Sequence, residues 1–404
     1  MTPFTIIIPT RERCETLRHT IRACLNQDYD NYTVLVSDNV STDATRDVVH
    51  SFSDPRLKYV VPDRRLSMSS HFNFAISQAA DGWVTAIGDD DALLPGALRH
   101  ADELIHAYDG LPIAAASVYF AWPGFPDPNI ANRLQFSGFS DQVKICNSRE
   151  VIRDRITFSG KREDYVWGMP SVYRGFVPVE MIRSGIRGGR YINSVTPDAY
   201  SAFATTLLSP SYLRTERPLF IEGVSAKSNG AAQTMLVNTD EEKRYLAEND
   251  ISVHAGTVYC VASAFVMIEA FLQAKAAFPD LAQDLVPDFQ AMCVHARLET
   301  LPARMAGVLD ASAIIRNRYS LPPEPRGAAI AESVRRRIKS VRRAWSGLSV
   351  DGNVYAIQNV YDASIVAGAL WNYRCGTGHL EGRSLFADRL TSFIAKRLRH
   401  SSAT

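Results

Sequence analysis

The 404-residue sequence lacks several patterns that mark common protein classes. Its six cysteines lie far apart with no C-x-x-C pair, which argues against a zinc ribbon or a disulfide scaffold and fits a reducing compartment. Neither G-x-G-x-x-G nor G-x-x-x-x-G-K-[ST] occurs, which disfavours dinucleotide oxidoreductases and P-loop nucleotidases. No run approaches the roughly 18 apolar residues of a membrane-spanning helix. The N-terminal apolar run is interrupted at Pro9 and has no charged segment before it, so we expect no signal peptide and a cytoplasmic protein.

The composition is that of a globular enzyme, with 46% apolar and 22% charged residues, and it excludes disordered, collagen-like and coiled-coil chains. The length predicts two or three domains. The net charge of +1 conceals an asymmetry: residues 301–404 hold 16 basic and 7 acidic side chains, whereas residues 1–300 hold 28 and 36. An acidic body and a basic end indicate two different tasks.

Short β-branched runs alternate with helix-period stretches four times within about 110 residues. This alternation predicts an α/β fold with a mostly parallel sheet, in which ligands bind at the carboxyl ends of the strands. We expect Thr10 to cap the first helix, and Ser41 or Thr42 to cap the second. The predicted strands are residues 5–9, 33–36, 57–61, 83–87 and 113–119, and the predicted helices lie around residues 17–25, 48–52, 68–79 and 94–105.

Polar segments follow three of these strands, at residues 9–13, 37–43 and 88–91. A solvated strand end is an equally good interpretation of the first two. The third contains Asp89, Asp90 and Asp91, whose charges repel and are costly to desolvate without a cation. A hard divalent ion with oxygen ligands would relieve that repulsion, and a solvated acidic turn is the alternative.

Four motifs in order resemble the inverting glycosyltransferases of the GT-A type, family 2. The motifs are Ile7-Ile8-Pro9-Thr10-Arg11, Val36-Ser37-Asp38-Asn39-Val40-Ser41-Thr42-Asp43, Asn73 and Gly88-Asp89-Asp90-Asp91. The resemblance covers roughly residues 4–230 and implies a Rossmann-like nucleotide-diphospho-sugar transferase domain. We expect that domain over residues 1–235, with a nucleotide-binding part to about 120 and an acceptor part from 121, followed by a helical region over 236–404.

The resemblance also implies roles for individual residues. Pro9, Thr10 and Arg11 would line the nucleotide pocket, and Asp38 would accept a hydrogen bond from the base, typically uracil. Asp89 and Asp91 match the outer residues of the D-x-D motif. Asp91, with Asp89, would hold Mn²⁺ or Mg²⁺, and Asp89 and Asp90 would hold the ribose or the waters of the metal. The metal would act as a Lewis acid on the leaving diphosphate.

Inversion requires a base that takes the proton of the acceptor hydroxyl, and the family places an aspartate at a helix start downstream of the metal motif. Asp198, after Pro197, fits that position, although the family usually shows Glu-Asp rather than Pro-Asp. An ordinary acidic residue in the first turn of a helix is the alternative. Tyr165 and Trp167 lie where acceptor-facing aromatics are expected, with core burial as an equally good interpretation. Ser225, Lys227 and Ser228 form a candidate diphosphate loop or an ordinary connection.

Residues 240–404 show long helical periodicity without strand alternation. Residues 333–345 carry six basic side chains around an apolar stripe that ends at Trp345, and residues 390–399 repeat the pattern more weakly. Such basic amphipathic helices indicate either contact with the anionic inner face of a membrane or packing on the domain. No nucleic-acid reader accompanies them, so we expect no nucleic-acid partner, and the oligomeric state is left open.

These patterns together favour an inverting, metal-dependent transfer of a sugar from a nucleotide-sugar, with UDP expected, to a hydroxyl of a glycan or lipid-linked saccharide. A nucleotidyltransferase on a related α/β fold is the first alternative, although no glycine follows the first strand in residues 9–13, where such enzymes carry a Gly-rich loop. A non-catalytic glycan- or membrane-binding protein is the second alternative.

Overall fold

A strand of β-branched residues lies at the centre of the molecule, as the N-terminal run predicts. In the computed structural model, which describes residues 1–159, 168–228, 245, 247–323 and 348–375, Ile6, Ile7 and Ile8 are fully buried. Because successive side chains of a strand point to opposite faces, a run buried at every position must be covered on both faces. The strand therefore belongs to a sheet with helices on each side.

The described residues form eleven strands, and their bounds follow. They are β1 Phe4–Thr10, β2 Tyr32–Asp38, β3 Leu57–Val60, β4 Trp83–Ala86, β5 Ala92–Leu93, β6 Ile113–Ala121, β7 Arg133–Phe136, β8 Val143–Asn147, β9 Gly175–Pro178, β10 Ser211–Val224 and β11 Leu348–Asp351.

The described residues also form twelve α-helices and a short 3₁₀ turn. They are α1 Cys14–Leu25, α2 Thr45–His50, α3 Met68–Ser77, α4 Ala97–Ala107, α5 Ser148–Ile156, α6 Val179–Ser184, α7 Pro197–Leu208, α8 Ser263–Ala277, α9 Pro279–Ala282, α10 Phe289–Glu299, the turn Pro302–Arg304, α11 Met305–Arg318 and α12 Val360–Cys375.

All eleven strands join one mixed sheet, whose main path runs β11-β7-β6-β9-β4-β1-β2-β3. The predicted α/β class is confirmed. The parallel pairs are β1 with β2 and β4, β2 with β3, and β6 with β10. Strands β5, β7, β8, β9 and β11 pair antiparallel. Strands β1 to β4 are thus parallel to one another, and the later strands extend them as a mixed sheet.

Two helix starts differ from the prediction. Helix α1 begins after Arg13 without a side-chain cap, and α2 begins after Ala44 without one. The Thr10 hydroxyl instead donates to Asp89, 79 positions away, and Ser41 accepts the Glu12 backbone N–H. Long-range contacts thus use hydroxyl groups that the local sequence assigns to caps.

The C-terminal region contributes to the sheet as well as to the helices. Strand β11 pairs antiparallel with β7, and α12 packs against α1 and β5. Trp371 of α12 stacks on Phe139 (ring centroids 5.5 Å apart), which in turn stacks on Phe136 of β7 (4.9 Å). The described residues after 240 are mainly helical, as predicted, and they add one short strand, Leu348–Asp351, that the sequence analysis did not predict. In the described part of the chain, no helix is both long and apolar enough to cross a bilayer.

Candidate active site

The carboxyl ends of β1, β2 and β4 meet at one edge of the sheet. In the register of β1 and β2, Thr10 lies opposite Asp38 and Pro9 lies opposite Ser37. The backbone N–H of Asn39 donates to the Thr10 carbonyl (2.9 Å), which joins the two strand ends. Residues 88–91, here named the acidic turn, follow β4 at the same edge. The three segments that the sequence singles out are therefore neighbours.

Asp91 is directed into the protein and is only 1% exposed. Its Oδ1 accepts the backbone N–H of Gly223 (2.8 Å). Its Oδ2 accepts the Gly88 N–H (2.8 Å) and the Tyr173 hydroxyl (2.8 Å). Both oxygens thus hold protein donors from three segments, which gives Asp91 a structural role in the acidic turn. Its predicted role as metal ligand stays a prediction, and this geometry favours its two neighbours.

The acidic turn packs directly against the backbone of β10. A Cβ on Gly223 would lie 1.7 Å from the Asp90 carbonyl oxygen, so only glycine fits at this contact. The same carbonyl accepts the Trp122 indole N–H (2.9 Å). Strand β10 therefore fixes the position of the acidic turn from one side, and the Gly88 N–H fixes it from within.

Asp89 and Asp90 both face the guanidinium of Arg13. Arg13 Nη1 lies 3.2 Å from Asp89 Oδ1 and 3.9 Å from Asp90 Oδ2. Asp89 also accepts the Thr10 hydroxyl (2.7 Å), and Asp90 accepts the Ser225 hydroxyl (2.7 Å) and N–H (3.2 Å). Both aspartates are buried.

The electrostatics of this pair follow from burial. Desolvation raises the pKa of Asp90 to about 7, and the charges of Asp91 and Asp89 add to that effect, while Arg13 opposes it. Desolvation also raises the pKa of Asp89, again against the charge of Arg13. A positive charge at this position is therefore what favours the ionised form of both carboxyl groups.

Two predicted nucleotide-binding residues already have protein partners. Asp38 Oδ1 accepts the Ser41 N–H (3.0 Å), and its Oδ2 accepts the Tyr59 hydroxyl (2.6 Å). Arg11 Nη1 lies 2.5 Å from Glu248 Oε2, in a segment that follows the candidate domain in the sequence. A nucleotide bound here would compete with, or share, these contacts.

Part of the predicted diphosphate loop contacts the acidic turn. Ser225 bonds Asp90 as described, and the carbonyl of Lys227 accepts a hydrogen bond from Arg13 Nη2. Ser228 closes the turn by donating its N–H to the Ser225 carbonyl (3.1 Å). Arg13 thus lies between the acidic turn and this loop. Tyr165 and Trp167, predicted to face an acceptor, lie outside the described residues, as do the basic stretches 333–345 and 390–399.

Asp198 lies in the first turn of α7, as predicted, directly after Pro197. Its carboxylate is half-buried and accepts the Ala199 N–H (2.8 Å). Desolvation raises the pKa of Asp198, opposed by the Ala199 N–H and by the charge of Arg174. A carboxylate with a raised pKa is a better proton acceptor than an ordinary one.

The loop before Asp198 is held by the half-buried side chain of Asn73 and by the buried carboxylate of Glu269. The Asn73 side chain accepts the N–H groups of Tyr191 (2.9 Å) and Ile192 (2.8 Å) and donates to the Ile192 carbonyl (2.9 Å). Ser194 donates to Glu269 of α8 (2.5 Å). Asn73, which the resemblance included, therefore acts on the loop that leads to Asp198.

Tyr173, with Ser171, links the backbone of Asp198 to the acidic turn, and Arg174 follows it in the chain; the sequence interpretation missed both Tyr173 and Arg174. Ser171 Oγ donates to the Asp198 carbonyl (3.2 Å) and accepts the Tyr173 N–H (3.1 Å), while the Tyr173 hydroxyl bonds Asp91. Arg174 is buried with φ +57°, a strained conformation for a side chain of this size. Its guanidinium pairs with Glu222 (2.9 Å). A tyrosine and an arginine directly before the apolar strand β9 are the sequence signal that could have drawn attention to them.

The acidic turn offers two carboxylates, Asp89 and Asp90, to a divalent ion. Among the described residues, no three His, Cys, Asp or Glu side chains are grouped to hold a metal. Asp89 and Asp90 nevertheless present oxygens to one cationic group, as a metal would require. Mg²⁺ is commonly held by one or two carboxylates together with substrate phosphates. The residues therefore fit a metal that arrives with a nucleotide.

Comparison with known proteins gives a family match for the N-terminal part of the chain. Residues 5–131 match the model of glycosyl transferase family 2. The matched residues include β1 from its second residue, β2, β4 and the whole acidic turn. They do not include Asp198 or Ser225.

Two curated bacterial relatives are similar to part of the chain. A GalNAc(5)-diNAcBac-PP-undecaprenol beta-1,3-glucosyltransferase from Campylobacter jejuni is 35% identical over 101 residues, 24% of this chain and 33% of the relative. A UDP-Glc:alpha-D-GlcNAc-diphosphoundecaprenol beta-1,3-glucosyltransferase, WfgD, from Escherichia coli is 30% identical over 94 residues, 23% of this chain and 37% of the relative. The chain thus spans little more than a third of these relatives' length.

Among solved structures, TarS 1-349 of S. aureus in complex with UDP-GlcNAc is 15% identical. The superposition covers 79% of this chain and 91% of the TarS chain, with a TM-score of 0.42. A likeness at this level does not bear on function.

Proposed function

We propose that this protein is an inverting glycosyltransferase that moves a sugar from a nucleotide-sugar to a hydroxyl of a lipid-linked saccharide. The observation that carries the proposal is that the acidic turn and Asp198 belong to one hydrogen-bond network. The acidic turn lies in the region matched to family 2, and Ser171 and Tyr173 connect it by hydrogen bonds to the backbone carbonyl of Asp198. These contacts support a reaction in which the acidic turn stabilises charge and Asp198 removes a proton.

In the proposed reaction the acceptor oxygen attacks the anomeric carbon of the sugar as the bond to the diphosphate breaks. Asp198 takes the proton from the acceptor hydroxyl, and the nucleoside diphosphate leaves with the bonding electrons. A single displacement of this kind inverts the configuration at the anomeric carbon. Burial, which raises the pKa of Asp198, suits it to this role.

The binding of the donor is assigned to the strand ends. Pro9, Thr10 and Arg11 lie beside the base-binding candidate Asp38, and Ser225 to Ser228 lies against the acidic turn. Asp89 and Asp90 are the proposed ligands of Mn²⁺ or Mg²⁺. When bound, a divalent ion supplies positive charge against the departing diphosphate. UDP is the expected nucleotide, and Asp38 would accept the imide N–H of uracil.

The acceptor class is taken from the relatives, whose names specify diphosphoundecaprenol-linked saccharides. An acceptor of this kind is embedded in a membrane, so the protein would work at the inner membrane face. The basic stretch 333–345 would suit an anionic surface.

The test is a transfer assay with purified full-length protein, Mn²⁺, a panel of UDP-sugars and a synthetic undecaprenyl-diphosphate saccharide. We expect release of UDP that depends on the acceptor, and a product whose anomeric configuration, read by NMR, is inverted relative to the donor. Release of pyrophosphate instead would indicate a nucleotidyltransferase. The absence of metal-dependent UDP binding in calorimetry would support a non-catalytic binding protein.

A further inference from the structure

We propose that Arg13 is the built-in counter-cation of the acidic turn and that a divalent ion binds Asp89 and Asp90 only when Arg13 withdraws. Arg13 is thus a positioning residue that sets how tightly the site takes its metal. The inference rests on the proposed metal-dependent function, but it concerns binding, which is measurable without any sugar transfer.

The geometry places one cation where the other would have to bind. Arg13 Nη1 lies within 3.2 Å of Asp89 Oδ1 and 3.9 Å of Asp90 Oδ2, and all three side chains are largely buried. Like charges at such distances repel strongly where water is scarce. A divalent ion that uses these two oxygens must therefore displace the guanidinium rather than bind beside it.

The residues next to Arg13 in the sequence fix its position. It is the last residue before α1, and Glu12 before it adopts φ +56°, a conformation that few non-glycine residues take. The Glu12 carboxylate accepts the N–H groups of Thr42 (3.0 Å) and Asp43 (3.1 Å), which fastens this turn to the end of β2. The backbone conformation and the hydrogen bonds of Glu12 therefore determine where Arg13 lies.

The second guanidinium nitrogen extends the effect to the candidate diphosphate loop. Arg13 Nη2 donates to the carbonyl of Lys227, and Ser225 in the same loop bonds Asp90. Withdrawal of Arg13 therefore breaks contacts to the acidic turn and to the loop together. Metal entry and a rearrangement of the loop are expected to occur as one event.

The test measures Mn²⁺ binding by calorimetry in the wild type, Arg13→Gln, Arg13→Lys and Arg99→Gln. Arg99 is a matched control, because it pairs with Asp28 (2.9 Å) on the surface with its side chain 58% exposed. We expect Arg13→Gln to bind Mn²⁺ alone about tenfold more tightly, since a competing charge is removed. Arg13→Lys should lie between it and the wild type, and Arg99→Gln should match the wild type.

A second measurement separates this role from a purely structural one. Without metal, Arg13→Gln should melt at a lower temperature than the wild type, and saturating Mn²⁺ should restore most of the loss. In the wild type, the Arg13 side-chain NMR signal, assigned from its loss in the variants, should shift on addition of Mg²⁺. This measurement still tests the proposal if Arg13→Gln does not fold.

Equal or weaker Mn²⁺ affinity in Arg13→Gln, or an Arg13 signal that Mg²⁺ leaves unmoved, would overturn the proposal. So would weaker binding of UDP with Mn²⁺ but unchanged binding of Mn²⁺ alone, since Arg13 would then contact phosphate beside the metal. If these binding results hold while no UDP-sugar is turned over, the proposed function fails and the role of Arg13 stands.

Discussion

The acidic turn and the start of α7 both present buried or half-buried aspartates, yet the protein holds them differently. Asp91 accepts three hydrogen bonds from Gly88, Tyr173 and Gly223, and its oxygens are directed into the protein. Asp198 accepts the N–H of its own neighbour, Ala199, and burial raises its pKa. The first arrangement stabilises a charge, whereas the second leaves a carboxylate inclined to take a proton. One aspartate is therefore expected to support the fold and the other to serve the chemistry at some cost in stability.

The largest expected effect is on turnover. Asp198→Asn should lower kcat by roughly 10²–10⁴-fold, because the base for the acceptor hydroxyl is lost. Its stability at pH 7 should be equal to or higher than that of the wild type. A folded pKa raised above the unfolded value means that stability falls as pH rises through the folded pKa, and the amide removes that loss.

Asp280→Asn is the matched control for this variant. Asp280 also follows a proline in the first turn of a helix, α9, but it is exposed. We expect wild-type kcat and melting temperature. Turnover in Asp198→Asn within a few-fold of the wild type would remove Asp198 as the base.

The next effect concerns the contact between β10 and the acidic turn. Gly223→Ala should reduce the free energy of unfolding by about 3 kcal/mol, because the new Cβ would overlap the Asp90 carbonyl. Metal-dependent nucleotide binding should fall as the turn is displaced. Denaturant unfolding and calorimetry measure the two quantities. Gly138→Ala, at a position with nothing within 4 Å of the added Cβ, should leave both unchanged.

Within the acidic turn, the structural aspartate Asp91 can be compared with the proposed metal ligand Asp89. Asp91→Asn should destabilise the metal-free protein by about 2 kcal/mol, because an amide group would face hydrogen-bond donors. Asp89→Asn should cost less, since it relieves repulsion within the turn, but should weaken Mn²⁺ binding more. The opposite ranking in denaturant unfolding and calorimetry would make Asp91 the metal ligand and Asp89 the structural residue.

The smallest expected effect is at the nucleotide pocket. Glu248→Gln should strengthen UDP binding a few-fold, because the Arg11 side chain no longer pairs with a carboxylate. Partly exposed ion pairs are worth about 1 kcal/mol or less, so stability should hardly change. Glu180→Gln, which removes a surface partner of Arg183, is the control, and calorimetry with UDP measures both. Unchanged or weaker UDP binding would show that Arg11 does not contact the nucleotide.

Much of the fold could be predicted because its signals are local. The alternation of apolar runs gave β1 to β4, and the Pro197-Asp198 pair marked the start of α7. The partners of Asp91 could not be predicted in this way. Tyr173 and Gly223 reach it from 82 and 132 positions further along the chain, and no local pattern records such contacts. Strand β11 was missed for a related reason, since four residues at a sheet edge carry little periodicity.

The pairing of β11 with β7 has a consequence for how the chain can be divided. The region matched to the family ends at residue 131, just before strand β7 (residues 133–136). The outer edge of β7 pairs with β11, residues 348–351. A fragment cut after residue 235 would leave the edge of β7 bare and the ring of Phe139 without Trp371. Open strand edges promote self-association, so such a fragment would be prone to aggregate even with every predicted site residue present. The sheet that carries the site is thus completed by residues that lie outside the family match.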